Sequence, residues 1–429
     1  MKRVFRISRK GKVKPIVLST LQAPEDLDAK LALIQALIPA GLLALAETLQ
    51  QEVLALAGER YSRSGGLPGV VRWSQQRGSI YLGDQKVAVL YRRLRDRAQK
   101  REIPLRTLKQ LHQPHQADGK LFLQLLRGLS CRSYGECAQA IPGIFGLSPS
   151  SVSRRFLRAS ARKLQQLCER RLESYDFVAL FLDGKTFPED EMIIALGITL
   201  SGEKVILGFV QTGTENESVC SEFLRSLVER GLRIDPGLLC IVRLRLTNVI
   251  DGAKGLRAAI QKVFGSQAVL QRCQWHKREN VVSYLPKGMQ ATVRQKLQSA
   301  YCKETYEEVK AALKAIRAEL SVINESAVKS LDEGLEESLT VYRLGLHEAL
   351  RRSFTTTNTI ESVMAQIGQK TDKVDHWRNS NQKQRWIAAS LLFIERRLNK
   401  VNGYRYLSHL REAMQKEIYI TTGKKPVAA

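Results

Sequence analysis

The amino-acid sequence predicts an α/β protein with a basic, mainly helical first part. Three observations lead to this prediction. From Phe177 onwards the apolar residues recur with a period of two, which is typical of β-strands. The segments before and after follow helical periods, and residues 1–172 carry most of the net positive charge. With 429 residues, 44% of them hydrophobic, the chain has room for two or three domains and at least one sizeable core.

Five strands are predicted in the second part. In chain order they cover residues 177–182, 192–199 and 204–211, a strand that ends near Ile250, and residues 268–272. The second and third strands form a hairpin, and helices separate the last strands. Three antiparallel strands followed by two that alternate with helices is the layout of an RNase H-like mixed sheet. Residues 277–350 are predicted to be helical throughout, and helix also dominates from Thr359 to the end.

The first part begins with a basic, extended lead over residues 1–20 and a helical pattern over residues 25–60. Pro39, Ala40 and Gly41 interrupt the pattern, which predicts two packed amphipathic helices. The uncharged stretch inside it is shorter than the roughly 20 residues of a membrane span, so no membrane partner is expected.

A short β-hairpin is predicted from two extended segments, residues 78–82 and 86–91, on either side of a Gly-Asp turn. Its second strand leads directly into a basic run that includes Arg92 and Arg93. A basic hairpin suits a clamp on a DNA backbone. It equally suits a solvated edge strand that uses its charge against aggregation.

Residues 121–172 carry a helix-turn-helix pattern. Helices are predicted over residues 121–129 and 133–140, and a third runs from Pro149, capped by Ser148, to about Leu172. The outward face of this third helix is small and basic, as in helices that enter the major groove: Ser150, Ser151, Ser153, Arg154, Arg155, Arg158 and Arg162. The alternative is an ordinary three-helix bundle whose charged face is only solvated.

The charge distribution favours a nucleic-acid partner. The formal charge is +26, and residues 1–172 hold 31 Lys and Arg against 12 Asp and Glu. Positive charge concentrated in one part of a chain is typical of proteins that bind phosphate backbones. A generally basic, soluble surface is the alternative.

Cysteine usage predicts reduced thiols. The chain has seven cysteines, an odd number without a CxxC pair, and its first residues lack the apolar region of a signal peptide. We therefore expect a cytoplasmic, nucleoid-associated protein.

Three acids stand in contexts that packing explains poorly. Asp183 ends an apolar run, Asp251 precedes Gly-Ala-Lys-Gly, and Glu361 lies at the start of a helical pattern. Each has an ordinary alternative, because Asp-Gly is a turn dipeptide and Asn358-x-x-Glu361 fits a capping box. Together, two acids at strand ends and one on a helix can bind two Mg²⁺ or Mn²⁺ ions, which promote phosphodiester chemistry. Arg243 is unusual for a buried strand before Asp251, so that strand is either offset or directs arginine into a cleft.

Several segments together resemble Mutator-type transposases of bacterial insertion sequences. They are Leu182-Asp183-Gly184, residues 208–217, Asp251-Gly-Ala-Lys-Gly-Leu256, Arg272-Cys-Gln-Trp-His276 and residues 356–361, with further similarity at residues 78–95 and 402–405. The resemblance covers most of the chain. It implies an RNase H-like DDE catalytic domain, a helical insertion before the glutamate, divalent-metal dependence and cut-and-paste or copy-out transposition. Asp183, Asp251 and Glu361 match the catalytic, metal-binding triad of that family.

The resemblance and the patterns together predict six segments. They are an N-terminal helical region (1–60), a basic hairpin and linker (61–108), a helix-turn-helix DNA-binding domain (109–172), the first part of the catalytic core (173–276), the helical insertion (277–350) and the C-terminal helices of the core (351–429).

Cys273 and His276 form a CxxH pair. One such pair supplies two ligands where structural zinc needs four, which disfavours zinc. The family resemblance places this motif after the fifth strand and implies a structural role in support of the catalytic aspartate. Lys277 and Arg278, directly after it, are expected to contact DNA. Tryptophans such as Trp275 can stack on a flipped base, although core anchoring is the more frequent role.

The predicted function is that of a transposase that binds the terminal inverted repeats of its element and cleaves and joins DNA. Its partner is double-stranded DNA, at element ends and target, with a homodimer or larger assembly on DNA and no small-molecule substrate. The alternatives are a non-catalytic DNA-binding regulator derived from a transposase, and a metal-dependent nuclease without strand transfer.

Overall fold

The computed structural model describes residues 3–7, 13–17, 27–61, 66–82, 85–112, 117–134, 148–187, 190–213, 216–243 and 252–423. Their contacts form two compact units, Met1–Ala159 and Ser160–Ala429. The division falls inside one helix, Pro149–Cys168, so that the two halves of this helix belong to different units. The described elements of the first unit are β1 (Arg3–Ile7), β2 (Val13–Val17), α1 (Leu27–Ala57), β3 (Val70–Leu82), β4 (Gln85–Asp96), β5 (Arg101–Ile103), α2 (Arg106–Leu111), α3 (Ala117–Leu126) and α4 (Pro149–Cys168).

The predicted hairpin is confirmed and is longer than the sequence pattern indicated. β3 and β4 pair antiparallel along their lengths, and β5 adds a third antiparallel strand. β1 and β2 form a separate antiparallel pair in the basic lead. Leu49 of α1 packs with Ile80 and Leu94 of the three-stranded sheet in one core. Arg92 and Arg93 therefore lie on strand β4 itself.

The break predicted in the N-terminal helical pattern is wrong. α1 is one continuous helix of 31 residues and includes positions 39–41. A proline inside a helix removes one N–H donor and crowds the carbonyl four residues earlier, which costs about 3 kcal/mol. The many remaining hydrogen bonds of so long a helix allow it to continue past this defect.

The helix-turn-helix prediction is covered only in part by the described residues. α3 corresponds to its first helix, and α4 begins at Pro149 as predicted but ends at Cys168 instead of near Leu172. Ser148 Oγ accepts a hydrogen bond from the Ser151 N–H at 3.4 Å, which agrees with its predicted role as the cap. Residues 135–147, which include most of the predicted second helix and the turn, lie outside the described residues.

The second unit continues with strands and helices in alternation and then with helices. Its described elements are β6 (Phe177–Thr186), β7 (Glu191–Thr199), β8 (Lys204–Thr212), α5 (Glu217–Glu229), β9 (Leu238–Val242), α6 (Gly252–Phe264), β10 (Ala268–Arg272), α7 (Gln274–Ser283), α8 (Lys287–Ala300), α9 (Tyr306–Ser321), α10 (Glu325–Asp332), α11 (Leu335–Ser338), α12 (Thr340–Arg343), α13 (His347–Phe354), α14 (Asn358–Thr371), α15 (Ser380–Glu395) and α16 (Leu407–Thr422).

Its described strands form a mixed five-stranded sheet in the order β10-β9-β6-β7-β8. β6, β7 and β8 are antiparallel neighbours, as predicted, and β9 and β10 run parallel to β6. The predicted end of the fourth strand is wrong, because β9 ends at Val242 and not near Ile250. β9 is buried along its whole length, and Arg243 is the first charged residue after it, so a fully buried strand stops there. Residues 244–251 lie outside the described residues.

The sheet is covered on both faces. Ala179 and Phe181 of β6 pack in one core with buried residues of α13 to α16. Leu180 and Leu182 pack in a second core with α5 and α6. A strand that is buried on both faces needs apolar residues at consecutive positions, which explains the uninterrupted run before Asp183.

Helices follow the sheet, as predicted. α8 to α10 and their neighbours have a core of their own, which includes Leu297, Leu313 and Leu331. The first helix of this segment, α7, begins at Gln274, three residues before the predicted start. No helix among the described residues is long and apolar enough to cross a bilayer.

Candidate active site

Asp183 lies where the parallel pairing of the sheet ends, at the carboxyl-terminal ends of the parallel strands β9 and β10. Leu182 is in register with Val242 of β9, which is in register with Arg272 of β10. The next residue after each of these three strand positions is Asp183, Arg243 or Cys273. These three residues therefore form the next row across the neighbouring strands. Asp183 is not the end of its strand, since β6 continues to Thr186.

The Asp183 carboxylate is buried, with 2% of its surface exposed. Its Oδ1 accepts a hydrogen bond from the Gly184 N–H at 2.8 Å and lies 4.0 Å from Nη1 of Arg243. Of the two interpretations of Arg243, the offset strand is confirmed, because β9 ends at Val242. The guanidinium of Arg243 lies beside the aspartate. Burying a charged carboxylate costs free energy, and neighbouring positive charge and N–H donors offset that cost.

Asp251 lies outside the described residues, so the structure does not locate its side chain. Helix α6 begins at the next residue, Gly252. Among the described residues no group of three or more His, Cys, Asp and Glu side chains is arranged to hold a metal ion.

Glu361 lies in the first turn of α14, whose N-cap is Thr357. The Thr357 hydroxyl donates a 2.5 Å hydrogen bond to Oε1 of Glu361. The alternative explanation of Glu361, a capping box led by Asn358, does not apply, because the helix already begins at Asn358 and no side chain caps it. A carboxylate in the first turn is stabilised by the helix dipole.

The CxxH pair packs against the start of α14. The Cys273 thiol accepts a hydrogen bond from the Thr357 N–H at 3.4 Å, and its sulfur lies 3.3 Å from the Thr357 hydroxyl oxygen. His276 Nδ1 lies 3.1 Å from the Cys273 sulfur, and its Nε2 lies 3.7 Å from Oε1 of Glu361. Burial raises the pKa of Cys273, which keeps the thiol neutral. The pair therefore supports the glutamate, whereas the sequence pattern had suggested support for an aspartate.

The elements that carry Asp183 and Glu361 pack on each other. Asp183 is on the same face of β6 as Phe181, whose ring lies 5.9 Å from that of Phe354 at the end of α13. Further along the same face, a Cβ added at Gly368 of α14 would lie 3.4 Å from Nζ of Lys185. The face of the strand that carries the aspartate is thus covered by the helix that carries the glutamate.

Lys277 is inside the protein and not at a surface that DNA can reach. Its side chain is 1% exposed, and its ammonium donates hydrogen bonds to the carbonyls of Ser330 and Glu333. Burial, together with the charge of Arg272, lowers the pKa of Lys277 to about 7. This position corrects the expected phosphate contact, and we assign Lys277 a structural role. The guanidinium of Arg278 donates hydrogen bonds to the side chains of Glu279 and Gln298.

Some of the predicted DNA-contacting residues of the first unit have exposed side chains, and others are buried or hydrogen-bonded within the protein. Arg154 and Arg158 are exposed on α4, and Ser151 is half-buried. Arg155 is 2% exposed and therefore does not belong to the outward face. On β4, Arg92 is exposed, whereas Arg93 donates from Nε to Oε1 of Glu102 at 2.7 Å.

Three residues near the candidate site were missed or undervalued by the sequence prediction. Thr357 is hidden in a run of threonines, and Arg243 was noticed only as an oddity of its strand. Trp275 is 46% exposed, and its ring stands edge-on to His276 with 4.6 Å between ring centroids. By contrast, Trp377 packs edge-on against Phe187, as a core residue does.

Comparisons with known proteins show which family the chain belongs to. The family described as "Transposase, Mutator family" matches residues 114–396, which is more than half of the chain. The transposase for insertion sequence element ISRM5 of Rhizobium meliloti is 28% identical over 295 residues, 67% of this chain and 70% of that protein. Those for IS905 of Lactococcus lactis and IS6120 of Mycolicibacterium smegmatis are 28% and 26% identical, over 59% and 58% of this chain and 63% and 75% of their own lengths. The chain belongs to the Mutator family of transposases.

Proposed function

We propose that this chain is a DDE transposase that binds the terminal inverted repeats of its element and catalyses DNA cleavage and strand transfer in an RNase H-like domain. One observation carries the proposal. Asp183 is buried in β6 on the face that α14 covers, and α14 carries Glu361 in its first turn. Two acids on packed elements, in a member of a transposase family, favour a shared catalytic role.

The residues fit a site for Mg²⁺ or Mn²⁺. Asp183 and Glu361 offer carboxylate oxygens, which these ions prefer as ligands. Together with Asp251 they would hold two ions, which when bound would stabilise the attacking and leaving oxygens of a phosphodiester.

The other residues of the chain prepare this site. Thr357 and His276 hold Glu361 in one orientation through the contacts given above. The Arg243 side chain is partly exposed beside Asp183, so its guanidinium would donate to a phosphate oxygen placed there. Water would cleave at the element end, and the released 3′-hydroxyl would attack target DNA. This scheme needs no covalent protein–DNA intermediate.

End recognition is assigned to the first unit. The exposed Arg154 and Arg158 of α4 would face the DNA in a helix-turn-helix, and the exposed Arg92 of β4 would contact a phosphate. Joining two element ends to one target requires at least two copies of the chain, so we expect a dimer or larger assembly on DNA.

A strand-transfer assay tests the catalytic assignment. Asp183→Asn, Asp251→Asn and Glu361→Gln proteins should each lose cleavage and joining at least a hundredfold, while binding of end DNA persists. Glu325→Gln, at an exposed position in α10, is the matched control and should remain active. Normal cutting and joining by all three variants would remove the triad assignment. Cleavage without joining by the wild type would indicate a nuclease.

The alternative is a non-catalytic DNA-binding regulator. Arg243 is the observation that favours it, because a permanent positive charge next to Asp183 disfavours a divalent cation on the same carboxylate. If the wild-type protein binds end DNA but never cleaves it with Mg²⁺ or Mn²⁺, this alternative gains.

A further inference from the structure

The first unit contains a groove of about 1190 Å³ between α1 and the β3–β4 hairpin. Its lining residues come from α1, from the segment after α1 and from the two strands. It includes no residue of α4, so it is separate from the face assigned to the helix-turn-helix. Two exposed aromatic side chains, Tyr61 and Trp73, lie on its wall.

A β-bulge presents Trp73. In the β3–β4 ladder Arg72 pairs with Leu94 and Ser74 with Arg93, which leaves Trp73 without a partner between them. The indole is 59% exposed, and the guanidinium of Arg95 lies 4.6 Å from its ring centroid. Bulges re-aim side chains, and an exposed tryptophan in a sheet is seldom explained by stability.

A second backbone irregularity presents Tyr61. Its φ is +68°, in the left-handed region that bulky residues rarely adopt, and 89% of its surface is exposed. A ring so exposed gains little packing energy to offset this conformation. Strain that packing does not offset is a feature of functional positions.

The groove is also basic. Among the described residues that line it, the charged ones are Arg60, Arg72, Arg92 and Arg97 against Glu59. Arg60 lies 4.9 Å from the ring centroid of Tyr61, so a cation stands beside each aromatic ring. Aromatic rings next to arginines along a groove are the features that bind single-stranded nucleic acid.

We propose that this groove binds unpaired nucleotides of DNA. Bases stack on Trp73 and Tyr61, and phosphates contact the arginines. A duplex would use the arginines only, because its bases are already stacked on each other and present no free faces. The proposal rests on the proposed function, since cleavage and joining of element ends expose unpaired strands near the junctions.

Binding of a labelled 20-nucleotide thymidine strand and of a 20-base-pair duplex of unrelated sequence to the full-length protein tests the groove. Fluorescence anisotropy in EDTA gives both dissociation constants. Trp73→Ala and Tyr61→Ala should each weaken binding of the single strand about tenfold, and change duplex binding less than twofold. Trp73→Phe keeps an aromatic face and should lose less. Tyr419→Ala removes an exposed aromatic from α16 in the second unit and should change neither constant.

Tyr61→Gly separates binding from folding. Glycine adopts positive φ without strain, so this variant should unfold at the same or higher urea concentration than the wild type and still lose the single strand. Unchanged single-strand binding by Trp73→Ala and Tyr61→Ala, or equal losses for strand and duplex, would overturn the proposal. Because EDTA prevents metal-dependent cleavage, this failure is distinguishable from loss of the catalytic assignment in the strand-transfer assay.

Discussion

At the scale of single residues, the sequence indicates which side chains carry the chemistry, but not which neighbouring residues position those side chains. Glu361 and the CxxH pair are visible as motifs. Thr357 is not, because three other threonines lie within two residues of it, and only the start of α14 decides which hydroxyl faces the glutamate. The structure selects Thr357, whose hydroxyl contacts both Glu361 and Cys273.

Thr357→Val tests this selection. Valine keeps the shape but removes the hydroxyl that meets Glu361 Oε1 at 2.5 Å, so we expect the free energy of unfolding to fall by about 1–2 kcal/mol and strand transfer to drop. Thr356→Val is the matched control. The Thr356 hydroxyl is buried without a hydrogen-bond partner among the described residues, so its removal should be neutral or slightly stabilising. Urea unfolding measures both, and equal losses would contradict the selection of Thr357.

At the scale of elements, the strands were predictable because burial leaves a strong pattern. β6, β7 and β8 read as apolar runs, and the structure confirms them. The end of β9 was not predictable, since the residues after Val242 also alternate between apolar and polar. The partner strand sets the limit, because β10 pairs with β9 only up to Val242. Register with a neighbour is a tertiary property that one strand's sequence does not contain.

A pair of glycine substitutions tests the packing of the sheet. A Cβ at Gly197 in β7 would lie 2.5 Å from Cε1 of Phe177 and 2.6 Å from Cδ1 of Leu207, so Gly197→Ala should lower the free energy of unfolding by about 1–3 kcal/mol. Gly288 in α8 has no atom within 4 Å of its added Cβ. Gly288→Ala should therefore stabilise by about 0.5–1 kcal/mol through helix propensity. Thermal unfolding distinguishes the two, and a stable Gly197→Ala protein would show that the sheet has more space than the structure indicates.

At the scale of the whole molecule, charge indicated a nucleic-acid partner, but the sequence does not show where one compact unit ends. Contacts divide the chain between Ala159 and Ser160, inside α4. Leu167 of this helix is buried in the core of the second unit, and Arg170 just after it pairs with Glu395. In the other half of the helix, Phe156 stacks on Phe122 of α3. A helix whose two halves pack in different units keeps one continuous amphipathic pattern, so its period contains no signal of the division. A truncation should therefore keep α4 whole.

A fragment of residues 148–429 tests how the contacts with DNA are divided between the two parts of the chain. It retains α4 and three of the described hydrophobic cores, so it should give a cooperative unfolding transition. The removed residues 1–147 hold 24 Lys and Arg against 11 Asp and Glu. Each lost phosphate contact reduces the magnitude of the slope of log affinity against log salt by about 0.9. Binding of unrelated duplex to the fragment should therefore weaken at least tenfold and depend much less on salt concentration. Anisotropy titrations between 50 and 200 mM NaCl measure this slope. An unchanged slope in a folded fragment would place the DNA contacts within residues 148–429, which include Arg154 and Arg158 of α4.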